Sequence, residues 1–410
     1  MPPDSPLAIN GGTPIRTRPF PSWPIFDHTD EAALNDVLRS GKWFMADRVA
    51  QFEVDFAAYH GARFGVTVSS GTTALQVALG AVGVKLGDEV IVPSYTFVAT
   101  ASAVAAVGAV PVFVDIDANS YNIDPAGVEA AVTEKTKAII AVHIGGLPAD
   151  LDALMEIGQR RGIPIIEDAC QAHGAAWKGR RVGAIGDIGC FSFQASKNLN
   201  CGEGGFVLSD DTKLAERAWS LHNCGRSREG AWYEHAALGS NYRLSEFQAA
   251  LLSSQLQRLS DQTATRTANG QLLTSLLEEV DGIEPRLVDD RVTTHGYHLY
   301  ILRFRADGFG GLPRERFIEA LSAEGIPCSA GYRPLYKEEA FSGTFGDYPL
   351  ETPFFGGAPD YTRFSCPVTE RACAEESVWL TQNMLLGDEE DTGDIARAIA
   401  KIRDGVDDLL

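Results

Sequence analysis

One lysine stands alone in the stretch Phe191-Ser-Phe-Gln-Ala-Ser-Lys-Asn-Leu-Asn-Cys-Gly-Glu-Gly-Gly205. Lys197 follows a short apolar run at 188–193 and precedes the glycines Gly202, Gly204 and Gly205. An amine just past a buried strand is partly desolvated, which lowers its pKa and makes it a nucleophile toward carbonyls. The glycines let backbone pass close to a bulky ligand. A solvated loop lysine beside ordinary turn glycines carries the same local sequence, so the chemistry depends on what converges with it. Asp168 closes another apolar run, where a carboxylate needs a cationic partner. Ser69-Ser-Gly-Thr-Thr73 opens a helical period carried by Ala74, Leu75, Ala78 and Leu79. Free N–H groups at such a helix start, with the hydroxyls of Thr72, Thr73 and Ser192, form an anion site. Ser70 or Thr72 acting only as a helix cap accounts for the same residues. Phe97 offers a flat apolar face.

These groups need a frame that brings strand ends together. Strand-like runs at 64–68, 89–92, 110–114, 138–143, 163–166 and 188–193 alternate with helical periods at 49–59, 96–106, 125–132, 151–161 and 214–221. Short β-rich runs between amphipathic helices predict an α/β fold, a mostly parallel sheet sandwiched by helices. Ligands of such sheets gather at the carboxyl ends of strands. Lys197, Asp168, Phe97 and the 69–73 turn all fall there. Residues 8–30 read as an irregular arm, and 222–235 as a polar, mobile loop. A long helix from 246 runs toward 277, and the pattern then changes. An exposed-face strand at 298–304 and helices at 312–324 and 394–402 predict a smaller α+β domain. The expected division is 1–255, with the arm, and 256–410.

At 410 residues the chain is long enough for two cores, and its 45% hydrophobic and 22% charged content is that of a globular protein. A net charge of −20 argues against nucleic acid or an anionic membrane surface as partner. Met1-Pro-Pro-Asp-Ser-Pro6 shows no leader pattern, and no run has membrane-spanning length. Seven scattered cysteines without CxxC spacing indicate neither a disulfide framework nor a metal site, and fit a reducing cytoplasm.

An amine, an acid, an anion cradle and an aromatic plate are together what pyridoxal 5′-phosphate requires. Its aldehyde condenses with lysine, its ring nitrogen pairs with a carboxylate, its phosphate takes a helix start and its ring stacks on an aromatic. Five segments carry a resemblance that covers nearly the whole chain: Ser69–Leu75, Glu89–Thr100, Glu167-Asp-Ala-Cys-Gln-Ala-His-Gly174, Phe191–Gly205 and Gly239-Ser-Asn-Tyr-Arg243. In that order they resemble the DegT/DnrJ/EryC1/StrS aminotransferases, fold-type-I pyridoxal phosphate enzymes acting on sugars and cyclitols.

The resemblance implies that Lys197 is the Schiff-base lysine and proton shuttle. It implies that Asp168 pairs with the ring nitrogen, that Gln171 touches the ring oxygen, and that Phe97 stacks. Gly71, Thr72, Thr73 and Ser192 would hold the phosphate, with Asn241 reaching it from a neighbouring subunit, so the active unit would be a homodimer. Family members with histidine in place of the lysine are dehydratases; Lys197 argues against that branch. The opening Asn10-Gly-Gly-Thr-Pro14 and Phe193-Gln-Ala-Ser-Lys197 are similar to glutamine-dependent scyllo-inosose aminotransferases of aminoglycoside pathways. His222-Asn-Cys-Gly-Arg226 resembles 3-amino-5-hydroxybenzoate synthases, and nucleotide-sugar aminotransferases are a third option. The amino donor implied is L-glutamine, and the acceptor a keto-cyclitol or keto-sugar. Trp43, Phe44, His173, Arg226 and Tyr332 are candidate substrate residues; each is at least as able to serve packing, except Arg226, which lies in an otherwise polar loop. A catalytically silent binding protein and a lyase without the cofactor are rival readings; retention of Lys197, Asp168 and Thr72–Thr73 disfavours both.

Overall fold

The structure, a computed structural model, describes residues 6–231, 233–341 and 360–410. Residues 1–5 of the opening segment, and Trp232 of the 222–235 loop, lie outside the described residues. Among the described residues no helix is long and apolar enough to cross a membrane.

The chain begins with two helices, α1 (His28–Ser40) and α2 (Asp47–His60), then enters a strand–helix alternation. Its members are β1 (Phe64–Val68), α3 (Gly71–Val82), β2 (Glu89–Pro93), α4 (Ala99–Ala106), β3 (Val110–Val114) and α5 (Pro125–Ala131). They continue through β4 (Thr136–Val142), α6 (Leu151–Arg161) and β5 (Ile165–Asp168). A small hairpin, β6 (Ala176–Trp177) and β7 (Arg180–Arg181), precedes β8 (Ile188–Ser192), β9 (Gly205–Ser209) and α7 (Thr212–His222).

Seven of these strands form one sheet in the order β1-β9-β8-β5-β4-β2-β3, parallel except for β9, which runs antiparallel to both neighbours. Side chains along each strand point alternately to the two faces, and because both faces are covered the central strands are buried almost throughout. Val90, Val92, Ala138 and Ile140 join the core under α3 and α4. Ile91, Ile139 and Ala141 join the core under α2 and α6. The second core centres on Phe52, Phe56, Phe191, Phe193 and Phe206, all fully buried and meeting edge to face. Each such ring contributes roughly 1.5–3 kcal/mol from burial.

Helix α8 (Glu246–Leu277), 32 residues long, starts at a capping box between Ser245 and Gln248 and runs unbroken past residue 255. Beyond it come β10 (Ile283–Pro285), β11 (Val292–Thr294), β12 (Leu299–Phe304), α9 (Arg314–Ala323), α10 (Pro367–Arg371), β13 (Ser377–Thr381) and α11 (Glu389–Asp404). β10, β12 and β13 make a three-stranded antiparallel sheet. β11 instead pairs back onto the β6–β7 hairpin.

Several expectations are corrected. β12 is not an exposed-face strand: all six residues are buried. Tyr300, Leu302 and Phe304 pack under α9 and α11, while Leu299 and Ile301 pack into the large sheet's core. Alternation of polar and apolar residues cannot show that both faces are covered. β9 was not foreseen, because its glycines read as room for a ligand. A Cβ at Gly205 would lie 2.2 Å from the Ser70 carbonyl oxygen, so this glycine admits the chain's own β1–α3 turn. α4 begins at Ala99, not at 96. The arm packs on C-terminal elements rather than on the large sheet: Leu7 enters the core of α9 and α11, Ala8 and Ile15 donate backbone N–H to Glu324, and Arg16 pairs with Asp391 and Asp394 at 2.8 Å.

Candidate active site

A cavity of about 760 Å³ opens at the carboxyl ends of the parallel strands. Four strand ends supply one side of it. The β1–α3 turn brings Ser70, Gly71 and Thr72; the segment after β2 brings Thr96, Phe97 and Thr100; β5 and its loop bring Asp168, Cys170 and Gln171; β8 and its loop bring Ser192 and Lys197. Later elements close the other side with His298, Tyr332, Trp379 and Thr381–Asn383, and the arm adds Trp23.

Lys197 lies half-buried on this lining. Burial pushes its pKa below the ordinary lysine value, against the opposing pull of Cys170 and Asp168. The balance raises the fraction of neutral, nucleophilic amine. Asp168, 5% exposed, accepts from the Thr100 hydroxyl at 2.9 Å and the Cys170 N–H at 3.3 Å. Among the described residues no cation lies within ion-pair distance of it, so the carboxylate is held in place by these two hydrogen bonds and makes no ion pair. A group bearing positive charge in the cavity would find its counter-ion there.

The helix start leaves N–H groups free on the cavity. Ser70 Oγ accepts from Thr73 N at 3.1 Å, and Thr73 Oγ1 accepts from Ser70 N at 3.0 Å. That capping box consumes the Thr73 hydroxyl, and Thr73 does not reach the cavity lining. The N–H groups of Gly71 and Thr72 have no intrahelical acceptor and sit on the lining beside Ser192 Oγ. A Cβ at Gly71 would lie 2.7 Å from Ser192 Cβ, so only glycine lets α3 begin this close to β8. Phe97 remains 55% exposed, a bare aromatic face on the lining. The Gln171 amide is held at both ends: Oε1 accepts from Gly145 N at 2.7 Å and Nε2 donates to Tyr332 OH at 2.9 Å.

The other candidates separate from this group. His173 is fully buried among Phe191 and Phe193, behind the sheet rather than on the cavity, and burial holds its imidazole well below the usual pKa. Trp43 and Phe44 lie on the α1–α2 connection, 51% and 60% exposed. Arg243 stacks over Phe44 at 5.2 Å and donates to Asn223, which bridges to exposed Asn241. Arg226 bridges to His235 in the irregular loop. None of these four reaches the cavity within one chain. Residues not foreseen on the lining include Trp23, Thr100, Cys170, His298 and Gln382. Thr100 and Cys170 had a signal, since Thr100 stands three residues after Phe97 and Cys170 lies between Asp168 and Gln171; the others are distant in sequence and had none.

A desolvated amine, a buried acid and a helix start with free N–H groups share one cavity of an α/β fold. The chain belongs to the DegT/DnrJ/EryC1/StrS aminotransferase family, whose model matches residues 24–392. It is 42% identical over 419 residues to an L-glutamine:2-deoxy-scyllo-inosose aminotransferase of Streptoalloteichus tenebrarius, covering 97% of each chain. It is 40% identical over 385 residues to a 3-amino-5-hydroxybenzoate synthase of Amycolatopsis mediterranei, covering 93% of this chain and 96% of the other. A crystal structure of 3-amino-5-hydroxybenzoic acid synthase matches with a TM-score of 0.85 at 40% identity, over 94% of this chain and 98% of that one. The protein is an aminotransferase of fold type I, a mostly parallel sheet flanked by helices.

Proposed function

We propose that this chain moves an amino group from L-glutamine to a ring ketone of keto-cyclitol type, with pyridoxal 5′-phosphate in the cavity. One observation carries the reading: a half-buried amine of lowered pKa and a buried carboxylate without a cation share one cavity beside a free helix start. The donor set fits the cofactor. Lys197 would hold it covalently, Asp168 would face its ring nitrogen, Phe97 would cover its ring and Gln171 would contact its ring oxygen. Gly71, Thr72 and Ser192 would bind its phosphate, with Thr73 acting through the cap that exposes those N–H groups. When bound, the cofactor supplies an electron sink next to the nitrogen being transferred.

The chain's own residues do the rest. Lys197, its amine shifted toward the neutral form by desolvation, takes a proton from the carbon bearing the donor nitrogen and returns it on the acceptor side. Asp168, oriented by Thr100, holds positive charge opposite it. Tyr332 fixes Gln171, and Trp379 packs edge-on against Tyr332 at 4.5 Å, keeping water out of this corner. Asn241, Trp43, Phe44 and Arg226 act from a second copy of the chain, so the working unit is a homodimer with shared sites. Cofactor binding belongs to the part before about residue 255, and the smaller C-terminal part closes the cavity.

The test is spectroscopic. Protein reconstituted with pyridoxal phosphate should show a visible lysine-linked band that borohydride locks onto Lys197 and that L-glutamine bleaches. A colourless protein that takes up no cofactor would end the proposal. A 3-amino-5-hydroxybenzoate synthase-like activity is the second reading, favoured by the relative and the crystal structure at 40% identity. Regeneration of the band by a panel of ketocyclitols, an aminobenzoate precursor ketone and nucleotide keto-sugars separates the options.

A further inference from the structure

Arg266, on α8, is fully buried and yet lacks a carboxylate: among the described residues none lies within ion-pair distance. Burial alone pulls its pKa down to about 9. Its Nε donates to Gln382 Oε1 at 2.8 Å, and Nη2 donates to the same oxygen, while Nη1 has no partner. The Trp23 ring covers the guanidinium at 5.2 Å. A buried cation left uncompensated is costly, and its field is weakly screened.

Gln382 passes that field to the cavity. It is 2% exposed and lies on the cavity lining, just past the end of β13. Because both N–H groups of Arg266 bind Oε1, the amide cannot flip without setting donor against donor. Its Nε2 donors therefore face away from Arg266, and among the described residues no acceptor takes them. The neighbouring Asn383 amide is already spent, donating to Pro21 O at 2.8 Å and accepting from Thr381 Oγ1 at 2.7 Å. Of the two carboxylates on the lining, Asp168 ends β5 and Glu203 is exposed; neither pairs with Arg266. The wall at Gln382 thus offers hydrogen-bond donors backed by an unmatched positive charge. A keto-cyclitol is an uncharged polyol, whereas an amino-acid donor always brings an α-carboxylate.

We propose that Gln382, oriented by Arg266, is the subsite for the α-carboxylate of the amino donor. The inference rests on the aminotransferase reading and adds to it the residues that select an amino acid over a simple amine. The probes are L-glutamine and L-glutaminol, in which the carboxylate becomes a hydroxymethyl group. Each is measured on the cofactor-loaded enzyme by band bleaching in a single half-reaction, and by calorimetric binding. Gln382→Glu is the informative variant, since its carboxylate would pair with Arg266, hold the fold and cancel the field. It should weaken glutamine binding about 10- to 100-fold, the range expected for losing a charge-assisted hydrogen bond. Glutaminol binding should change little, so the preference for glutamine collapses. Gln382→Leu should move both readouts the same way and less far. Regeneration of the band by the ketone should stay within a few-fold in both variants. Undiminished preference for glutamine over glutaminol in Gln382→Glu, with unchanged melting temperature, would overturn the subsite. Failure of the unsubstituted enzyme to bleach with any amino acid would instead overturn the aminotransferase reading beneath it.

Discussion

The two sides of the cavity are built differently. The side with Lys197, Asp168, Gly71 and Phe97 comes from four strand ends of one sheet, with Asp168 the last residue of its strand and the others in the short turns that follow theirs. The side with Trp23, His298, Tyr332 and Gln382 is assembled from an arm, the start of one small-sheet strand, an irregular segment and the end of another. The first side is rigid because the sheet sets its spacing, and it suits chemistry that tolerates little displacement. The second is set by how the small sheet packs on the large one, and it suits selection of what enters. The difference predicts that substitutions on the strand-end side remove turnover, whereas those on the assembled side change which substrate is taken.

Lys197→Ala is the strongest way to break the comparison. It should abolish amino transfer, a loss of at least about 10³-fold, while far-ultraviolet dichroism and melting temperature stay near those of the parent. Turnover near the parent's would refute the assignment. Asp168→Asn should follow, lowering kcat by roughly 10²-fold, because a neutral amide cannot match a cationic ring nitrogen. Thr100→Val leaves the carboxylate without its hydroxyl donor and should cost about tenfold in kcat, in line with one hydrogen bond to a charged group. Tyr332→Phe sharpens the contrast from the other side. It frees the Gln171 amide and should raise KM for the ketone a few-fold to tenfold with kcat nearly unchanged. A large fall in kcat with constant KM would place Tyr332 with the strand-end group.

The smallest effect belongs to neither wall. His60, at the end of α2, is buried; desolvation lowers its pKa to about 3, and its Nδ1 donates to Val182 O at 3.0 Å. The unfolded chain takes up this proton near pH 6.5 and the folded chain does not. His60 therefore adds stability that is present above about pH 6.5 and lost as pH falls toward 3. At pH 5.5 the loss is about 1.4 kcal/mol from this residue. His60→Gln should shift the urea midpoint less between pH 7.5 and 5.5 than the parent does. Equal shifts would show that His60 is protonated in the folded protein.

The strand-end wall was legible in the sequence because each residue sits in a contiguous segment. A strand of fixed rise ends where its apolar run ends, and parallel strands put those ends together. Phe191–Gly205 and Glu167–Gly174 therefore carried the fold and the placement of Lys197 and Asp168 at strand ends. Thr73 was half right: its hydroxyl faces the cap, since a three-residue spacing fits a capping box as well as an anion cradle. His173 failed because a histidine following the strand-end motif can turn behind the sheet as easily as into the cavity, and Phe191 and Phe193 hold it there. The buried β12 failed because nothing local reports a second layer.

Alternation of strands and helices, the lysine and acid after β-rich runs, and the glycine that lets a helix start close to its neighbour were all determined by residue order. These depend on backbone geometry over a few residues. Tertiary structure alone decided that Trp23, His298, Tyr332 and Gln382 share a wall, and that Arg266 is buried behind it without a counter-ion. Such groupings arise from packing between layers, where residues more than 350 positions apart meet and burial, not sequence spacing, sets what each charge can do.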